Sequence, residues 1–206
     1  MSKIISFISR KGGTGKTTNA INLATSLHGA GKKVLLIEID PNFTLTTLRK
    51  METFKTKKNE TFAVAGSSDE TVAGELIRMK EGRKYQYIIV DSAGKTTSEG
   101  IKKLCLVSDI VIVPTSLTQN DLLVTYQTVT DLAPARDLNA NLKILILPNR
   151  IHTSMGLHTV RDSLKNLNAL VLPVVVPQKN LFANFSTLDA EKGYEPVFRE
   201  IMKHVE

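Results

Sequence analysis

Two lysines bracket a run of small residues near the start of the chain, Arg10-Lys11-Gly12-Gly13-Thr14-Gly15-Lys16-Thr17-Thr18. The apolar residues Ile4, Ile5, Phe7 and Ile8 precede it, and Ala20, Ile21, Leu23, Ala24 and Leu27 follow it at helical spacing. Strand, glycine loop and helix N-terminus in that order make a cradle for phosphate. Glycines let successive N–H groups turn onto an anion with no Cβ in the way, and the helix adds unpaired donors and the positive end of its dipole. Lys16 then reaches the β- and γ-phosphates, and Thr17 offers a hydroxyl to Mg²⁺. The candidate nucleotide-binding residues are therefore Gly12, Gly13, Thr14, Gly15, Lys16, Thr17 and Thr18. The ordinary spacing G-x-x-x-x-G-K-[ST] asks for glycine where Arg10 stands, and an extra lysine, Lys11, lies next to it.

Short β-branched apolar runs alternate with longer amphipathic stretches along the chain, the pattern of βαβ units. The reading is an α/β fold, a mostly parallel twisted sheet with helices on both faces, in one domain spanning residues 1–206. Strands are predicted near 3–8, 33–39, 85–91, 109–114, 142–148 and 170–176, and helices near 16–30, 69–80, 98–107, 119–133, 154–167 and 194–205. Thr118 with Asp121 caps the fourth of these helices, and Gly29-Ala30-Gly31 closes the first. Residues 51–67 are the least regular, with Phe62-Ala63-Val64-Ala65 as an edge strand after a loop from Lys55 to Glu60.

Ligands of an open parallel sheet sit beyond the carboxyl ends of its strands. The phosphate loop ends the first strand, Asp40 the second, Asp91 the strand Tyr87-Ile88-Ile89-Val90, and Asn149-Arg150 the run before them, so all converge on one edge. Asp91 either caps a turn or holds Mg²⁺ through a bound water, and the phosphate loop favours the metal.

The loop Lys-Gly-Gly-Thr-Gly-Lys-Thr resembles that of the ParA/MinD family of deviant Walker A ATPases, most closely the short partition forms. Asp40-Pro41 stands where that family has an Asp-x-Asp-Pro-Gln switch, with Glu38 and Asn42 as departures. Ser92-Ala93-Gly94 stands at its second switch. The resemblance implies ATP and Mg²⁺ as cofactors, with Thr17, Asp40 and Asp91 around the metal and Lys11, Lys16 and Asp40 catalytic, Asp40 orienting the attacking water. It implies that Lys11 crosses an ATP-dependent homodimer to the partner's phosphates. Asn149 resembles the adenine-reading position, and Pro177 and Asn180 the loop over the base, although Asn and Pro also mark ordinary turns.

The resemblance further implies non-specific DNA binding and a centromere-binding, ParB-like partner that stimulates hydrolysis. It places the protein in the cytoplasm, on the nucleoid. The formal net charge is +7, and the excess lies in residues 1–103, which carry 18 Lys/Arg against 10 Asp/Glu. Arg161 with Lys165 and Arg199 with Lys203, each four apart, are the favoured DNA contacts, and the clusters at Arg49–Lys58, Arg78–Lys84 and Lys95–Lys103 read as solvated surface.

With 42% hydrophobic residues the chain can bury a core without disulfides. The single cysteine, Cys105, lies on an apolar stretch and reads as a core residue, and it cannot hold an iron–sulfur cluster by paired cysteines. No apolar run nears the ~20 residues that cross a bilayer. The chain begins at its first strand, which leaves no room for a signal peptide or a helix-turn-helix extension. A MinD-like membrane ATPase needs a basic amphipathic C-terminal helix. Val197, Phe198, Ile201, Met202 and Val205 form an apolar stripe there, but acidic neighbours offset its cations, so no stable membrane association is expected. Cargo-positioning relatives and a non-hydrolysing scaffold remain as alternatives.

Overall fold

The computed structural model describes residues 2–57, 61–94, 97–152, 154–167, 169–179 and 186–205, so Lys58, Glu60, Lys95 and Asn180 lie outside the described residues. In chain order the elements are β1 (Lys3–Phe7), α1 (Lys16–Gly29), β2 (Val34–Glu38), α2 (Thr44–Thr56), β3 (Ala63–Gly66), α3 (Val72–Gly82), β4 (Tyr87–Asp91) and α4 (Ser98–Val107). There follow β5 (Ile110–Thr115), α5 (Gln119–Leu138), β6 (Lys143–Ile151), α6 (Leu157–Leu164), β7 (Leu170–Val171), β8 (Val176–Pro177) and α7 (Glu195–Val205).

One sheet runs in the order β3-β2-β4-β1-β5-β6-β7, with β8 also on β6, and its pairings are parallel. Alternation along the strands divides the core. Ile5 and Phe7 face α1 and α7, packing with Ile21, Leu27, Val197 and Ile201, while Ile4 and Ile8 face α3, α4 and α5, packing with Leu76, Leu104 and Leu132. The expectation of helices on both faces of a parallel sheet holds. β1 sits between β4 and β5, so the chain departs to opposite sides of it, which is the switch point where such sheets bind ligands.

The first helix closes at Ala30 with Gly31 in the left-handed region at φ 74°, and Thr118 caps α5 by accepting from Asp121 N. Cys105 is buried, and burial pushes its thiol up to about 12, as suits an inert core residue. The apolar stripe of α7 is docked: Val197, Ile201 and Val205 are buried, with Phe198 and Met202 packed on the same core. Among the described residues no helix is long and apolar enough to cross a membrane.

Several expectations need correction. A helix that the sequence pattern does not predict, α2 (Thr44–Thr56), runs into the irregular region, so Lys55 and Thr56 are its last residues and not a loop. Its signal is weak because three threonines crowd its first turn and Phe43, in the N-cap position, offers no capping side chain. Glu38 serves instead, accepting from Leu45 N (2.8 Å) and Thr46 N (3.1 Å), a carboxylate at the positive end of the helix. The 170–176 strand splits into the two-residue β7 and β8. The fourth expected helix runs on past Pro134 to Leu138, and the fifth is shorter, Leu157–Leu164. β2 stops at Glu38, two residues before Asp40, and β6 continues through Asn149 to Ile151.

α2 is held by a buried cation where an apolar residue is usual. Arg49 donates through Nε to Thr187 Oγ1 (2.7 Å), through Nη2 to Thr187 O (2.6 Å) and through Nη1 to Phe62 O (2.7 Å), and it stacks 4.3 Å from the Phe62 ring centroid. Removing it strands buried acceptors. Arg49→Ala is therefore expected to destabilise the protein by roughly 2–4 kcal/mol, read as a lower denaturation midpoint at unchanged m-value. A shift within experimental error would mean that α2 is anchored by its leucines alone.

Candidate nucleotide site at the carboxyl edge of the sheet

The loop between β1 and α1 takes its shape from two glycines in the left-handed region, Gly13 at φ 74° and Gly15 at φ 96°, with Gly15 capping α1. Its outer part is open. Below it the packing is close: a Cβ on Gly15 would lie 2.1 Å from Asn149 Nδ2, and a Cβ on Gly94 would lie 2.9 Å from Gly12 Cα. Asn149, buried in β6, donates its amide to Thr14 O (2.7 Å), so this residue braces the phosphate loop from a strand two places along the sheet. The loop after β4 approaches it from the other side.

Lys16 is buried, and its ammonium donates across the loop to Lys11 O (3.0 Å). Burial lowers its pKa, with Asp91 and Asp40 opposing that shift. Asp91 is 2% exposed, and its Oδ1 has no hydrogen-bond partner. Burial is the main reason its carboxyl is pushed up to about 7, with Thr17 and Lys16 pulling the other way and Glu38 and Asp40 adding to the rise. Ser92 Oγ and Asn19 Oδ1 are also buried without partners. Of the five such atoms among the described residues, these three gather around the phosphate loop, the others being Asp69 Oδ1 and His204 Nε2, and their clustering marks a place that a polar ligand completes.

The donor set fits Mg²⁺. Thr17 opens α1 with its hydroxyl on Asp91, and a small hard cation of this kind takes one or two carboxylates and fills the rest of its shell with water and phosphate oxygens. Among the described residues no cluster of three or more His, Cys, Asp or Glu forms an all-protein metal cage. Asp40 lies in a turn, its Oδ1 accepting from Asn42 N (2.9 Å), half-buried and within the electrostatic reach of Lys16 and Asp91.

Lys11 is not free. Its ammonium sits 2.5 Å from Asp121 Oδ1 on α5, and Asp121 Oδ2 accepts from Ser116 Oγ (2.5 Å). Burial acts to raise the Asp121 pKa, but the hydrogen bonds from Lys11 and Ser116 outweigh it and hold the carboxyl below its usual range. The sequence marked Asp121 only as a capping partner, and nothing in the spacing pairs it with Lys11. Arg10, at the missing glycine, bonds Asp131 Oδ2 (2.5 Å) and Ser98 Oγ (2.8 Å).

Pro177 is half-buried in β8, and the next residue, Gln178, donates its N–H to Ile151 O (2.9 Å), placing this segment beside Asn149. Thr18 lies in the first turn of α1, its carbonyl taken by Asn22 Nδ2 (2.9 Å). The basic pairs proposed for DNA stand away from this edge. Arg161 and Lys165 are exposed, whereas Arg199 is taken by Glu195 (2.7 Å) and Lys203 by Glu200 (2.7 Å).

A family model described as VirC1 protein matches residues 2–191. Protein virC1 of Rhizobium radiobacter is 28% identical over 176 residues, covering 84% of this chain and 74% of that protein. The chromosome-partitioning ATPase Soj of Treponema pallidum is 56% identical over 41 residues, 20% of this chain and only 16% of that protein. A plasmid partition protein of Borrelia burgdorferi, solved bound to AMPPNP, superposes with a TM-score of 0.70 at 22% identity, over 99% of this chain and 98% of that one. It has the same fold.

An ionised Asp91 is unfavourable without a cation beside it. In nucleotide-free protein kept in EDTA, stability is expected to fall as pH rises from about 4 to 7, because the folded form holds its proton to higher pH than the unfolded chain. Asp91→Asn should flatten that slope, raise the thermal midpoint at pH 8 by roughly 2–4 °C or more, and abolish the extra stabilisation given by Mg²⁺ with ATP. A variant that still gains from Mg²⁺ would exclude Asp91 from the metal.

Proposed function

The chain belongs to the VirC1 protein family, and from that membership and its phosphate loop we propose that it is a ParA-type ATPase that dimerises on ATP, binds DNA without sequence preference and drives DNA partition. A centromere-binding, ParB-like partner stimulates its hydrolysis and release in this reading. The observation that carries the proposal is the pair of buried charged groups, Lys16 and Asp91 with its unpartnered Oδ1, beneath a loop whose Gly13 and Gly15 take the left-handed conformation that lets backbone N–H groups turn onto an anion.

Lys16 moves its ammonium from the Lys11 carbonyl to the β- and γ-phosphates, and the main-chain N–H groups of Gly12 to Thr18 surround the same oxygens. Bound Mg²⁺ neutralises charge on those phosphates, with Thr17, Asp91 and Asp40 as the residues that would hold it or its waters. Asp40 orients the attacking water, held by its turn at the mouth of the site. Phosphoryl transfer asks a protein mainly for position and compensating charge, so few residues suffice. Gly94 touches the backbone of Gly12, so a change in the loop after β4 is felt where phosphate binds.

Lys11 acts in trans, its cation offsetting charge on the partner copy's nucleotide. In the single chain Asp121 holds that cation at home, so dimerisation exchanges one charge-assisted contact for another. Asn149 and Pro177, with Asn180, contact the base in this reading, Asn149 through what its brace on Thr14 leaves free. The docked α7 favours DNA over a membrane as the anionic partner, since its apolar stripe is already covered.

Lys11→Ala should abolish the ATP-dependent shift from monomer to dimer in light scattering while keeping nucleotide affinity. Asp121→Asn, which releases the cation, should strengthen it. An unaltered Lys11→Ala dimer would remove the trans role. Asp40→Ala should retain ATP but lose turnover by at least about tenfold. Undiminished phosphate release would place the water elsewhere.

A further inference from the structure

At the end of the sheet opposite the nucleotide edge, the fold collects positive charge. The turn entering β2 and the turn entering β4 are clasped together. Lys33 N donates to Gln86 Oε1 (2.9 Å), while Gln86 N (2.8 Å) and Tyr87 N (3.2 Å) donate to Lys33 O. Gly31 and Arg83 turn the chain there with φ of 74° and 49°. Between the turns lies a cleft of about 510 Å³ lined by His28, Lys32, Lys33, Lys84, Phe62 and Tyr85, among others. Among the described residues, none that lines it is a carboxylate.

Several cations elsewhere on the chain are already paired, although Arg161 and Lys165 are not among them. Lys11, Lys80, Lys103, Arg199 and Lys203 each have a carboxylate within 4 Å or less. Lys32, Lys33 and Lys84 are exposed and have no ion pair among the described residues, and the ammonium of Lys84 lies 5.3 Å from the Tyr85 ring centroid. Like charges at one place repel, and the backbone clasp prevents the two turns from separating to relieve it. A polyanion removes that repulsion and releases its own counterions on contact. Exposed lysines spread along a rim suit a row of phosphates better than a single small anion, which needs fixed, buried donors.

We propose that this face, centred on Lys32, Lys33 and Lys84, is where the chain binds the phosphodiester backbone of duplex DNA, in place of the second-half pairs that the sequence favoured. The inference rests on the DNA-binding part of the proposed function. Because the face is at the far end of the sheet from the phosphate loop, DNA does not compete with nucleotide.

The test is fluorescence anisotropy of a labelled random duplex of about 30 base pairs, titrated at salt from roughly 50 to 200 mM with and without Mg-ATP. The variant Lys32→Glu/Lys33→Glu/Lys84→Glu should bind at least about tenfold more weakly, with the slope of log K against log salt reduced by about 2–3, as expected for the loss of up to three phosphate contacts. Its affinity for a fluorescent ATP analogue and its thermal midpoint should be unchanged, and the corresponding triple Lys→Arg variant should bind as the parent does. Unchanged DNA affinity in the Glu variant, or a loss confined to Arg161→Glu/Lys165→Glu, overturns the assignment while leaving DNA binding intact. Parent protein that holds no duplex in either nucleotide state, or that binds only anionic lipid vesicles, overturns both the face and the DNA part of the proposed function.

Discussion

A lysine and a carboxylate, both taken out of water beneath a loop of glycines, are the constraint around which this molecule is arranged. Lys16 and Asp91 each lose hydration on folding, and neither recovers it fully within the chain: burial lowers the pKa of one and raises that of the other. A fold selected only for stability would place apolar residues there. The surrounding structure tolerates the penalty because β1 and β4 are adjacent, central and paired over five residues, Lys3 to Phe7 against Tyr87 to Asp91, with apolar packing on both faces. That packing supplies the stability that the site gives up.

Much of this was legible in the sequence because the relevant signals are local. A glycine loop between an apolar run and a helical pattern identifies the phosphate cradle, and period-two alternation identifies the central strands. The family resemblance is borne out by the VirC1 match over residues 2–191. What was illegible depends on distant partners. α2 is weak by propensity and is made by Glu38 capping it from a strand end and by Arg49 reaching Thr187, 138 residues away. No pattern confined to one window could show a buried arginine doing the work of an apolar residue. The pairing of Lys11 with Asp121, and the bracing of Thr14 by Asn149, are of the same kind, since each joins elements that only the sheet order brings together.

The charge distribution carries a related lesson. Totals by half of the chain place the excess in the first half, but totals do not reveal which cations are already neutralised. The helix-spaced pair Arg199 and Lys203 looked suitable for phosphates, yet i,i+4 and i,i+3 carboxylates on the same helix hold both. The lysines beside the sheet's amino end have no helical periodicity and read as ordinary surface until two turns are seen to be clasped by hydrogen bonds.

The turn carrying Asp40 is fixed at both ends. On one side Ile39 N donates to Asp91 O (3.0 Å), tying the turn to the strand that ends in the buried Asp91 carboxylate. On the other, Phe43 sits in the left-handed region at φ 47°, and its ring lies where a side chain on Gly66 would be, 2.3 Å from an added Cβ. Only glycine at the end of β3 leaves room for that ring. Asp40 therefore has little freedom of its own. The helix α2 that follows this turn is fastened through Arg49 and Glu52 to Thr187, in the segment that also holds Asn22 of α1 through Glu191 N (2.9 Å). The turn of Asp40 and the segment from Thr187 to Glu191 are in this way joined through side-chain hydrogen bonds to α1, the helix that carries Lys16 and Thr17.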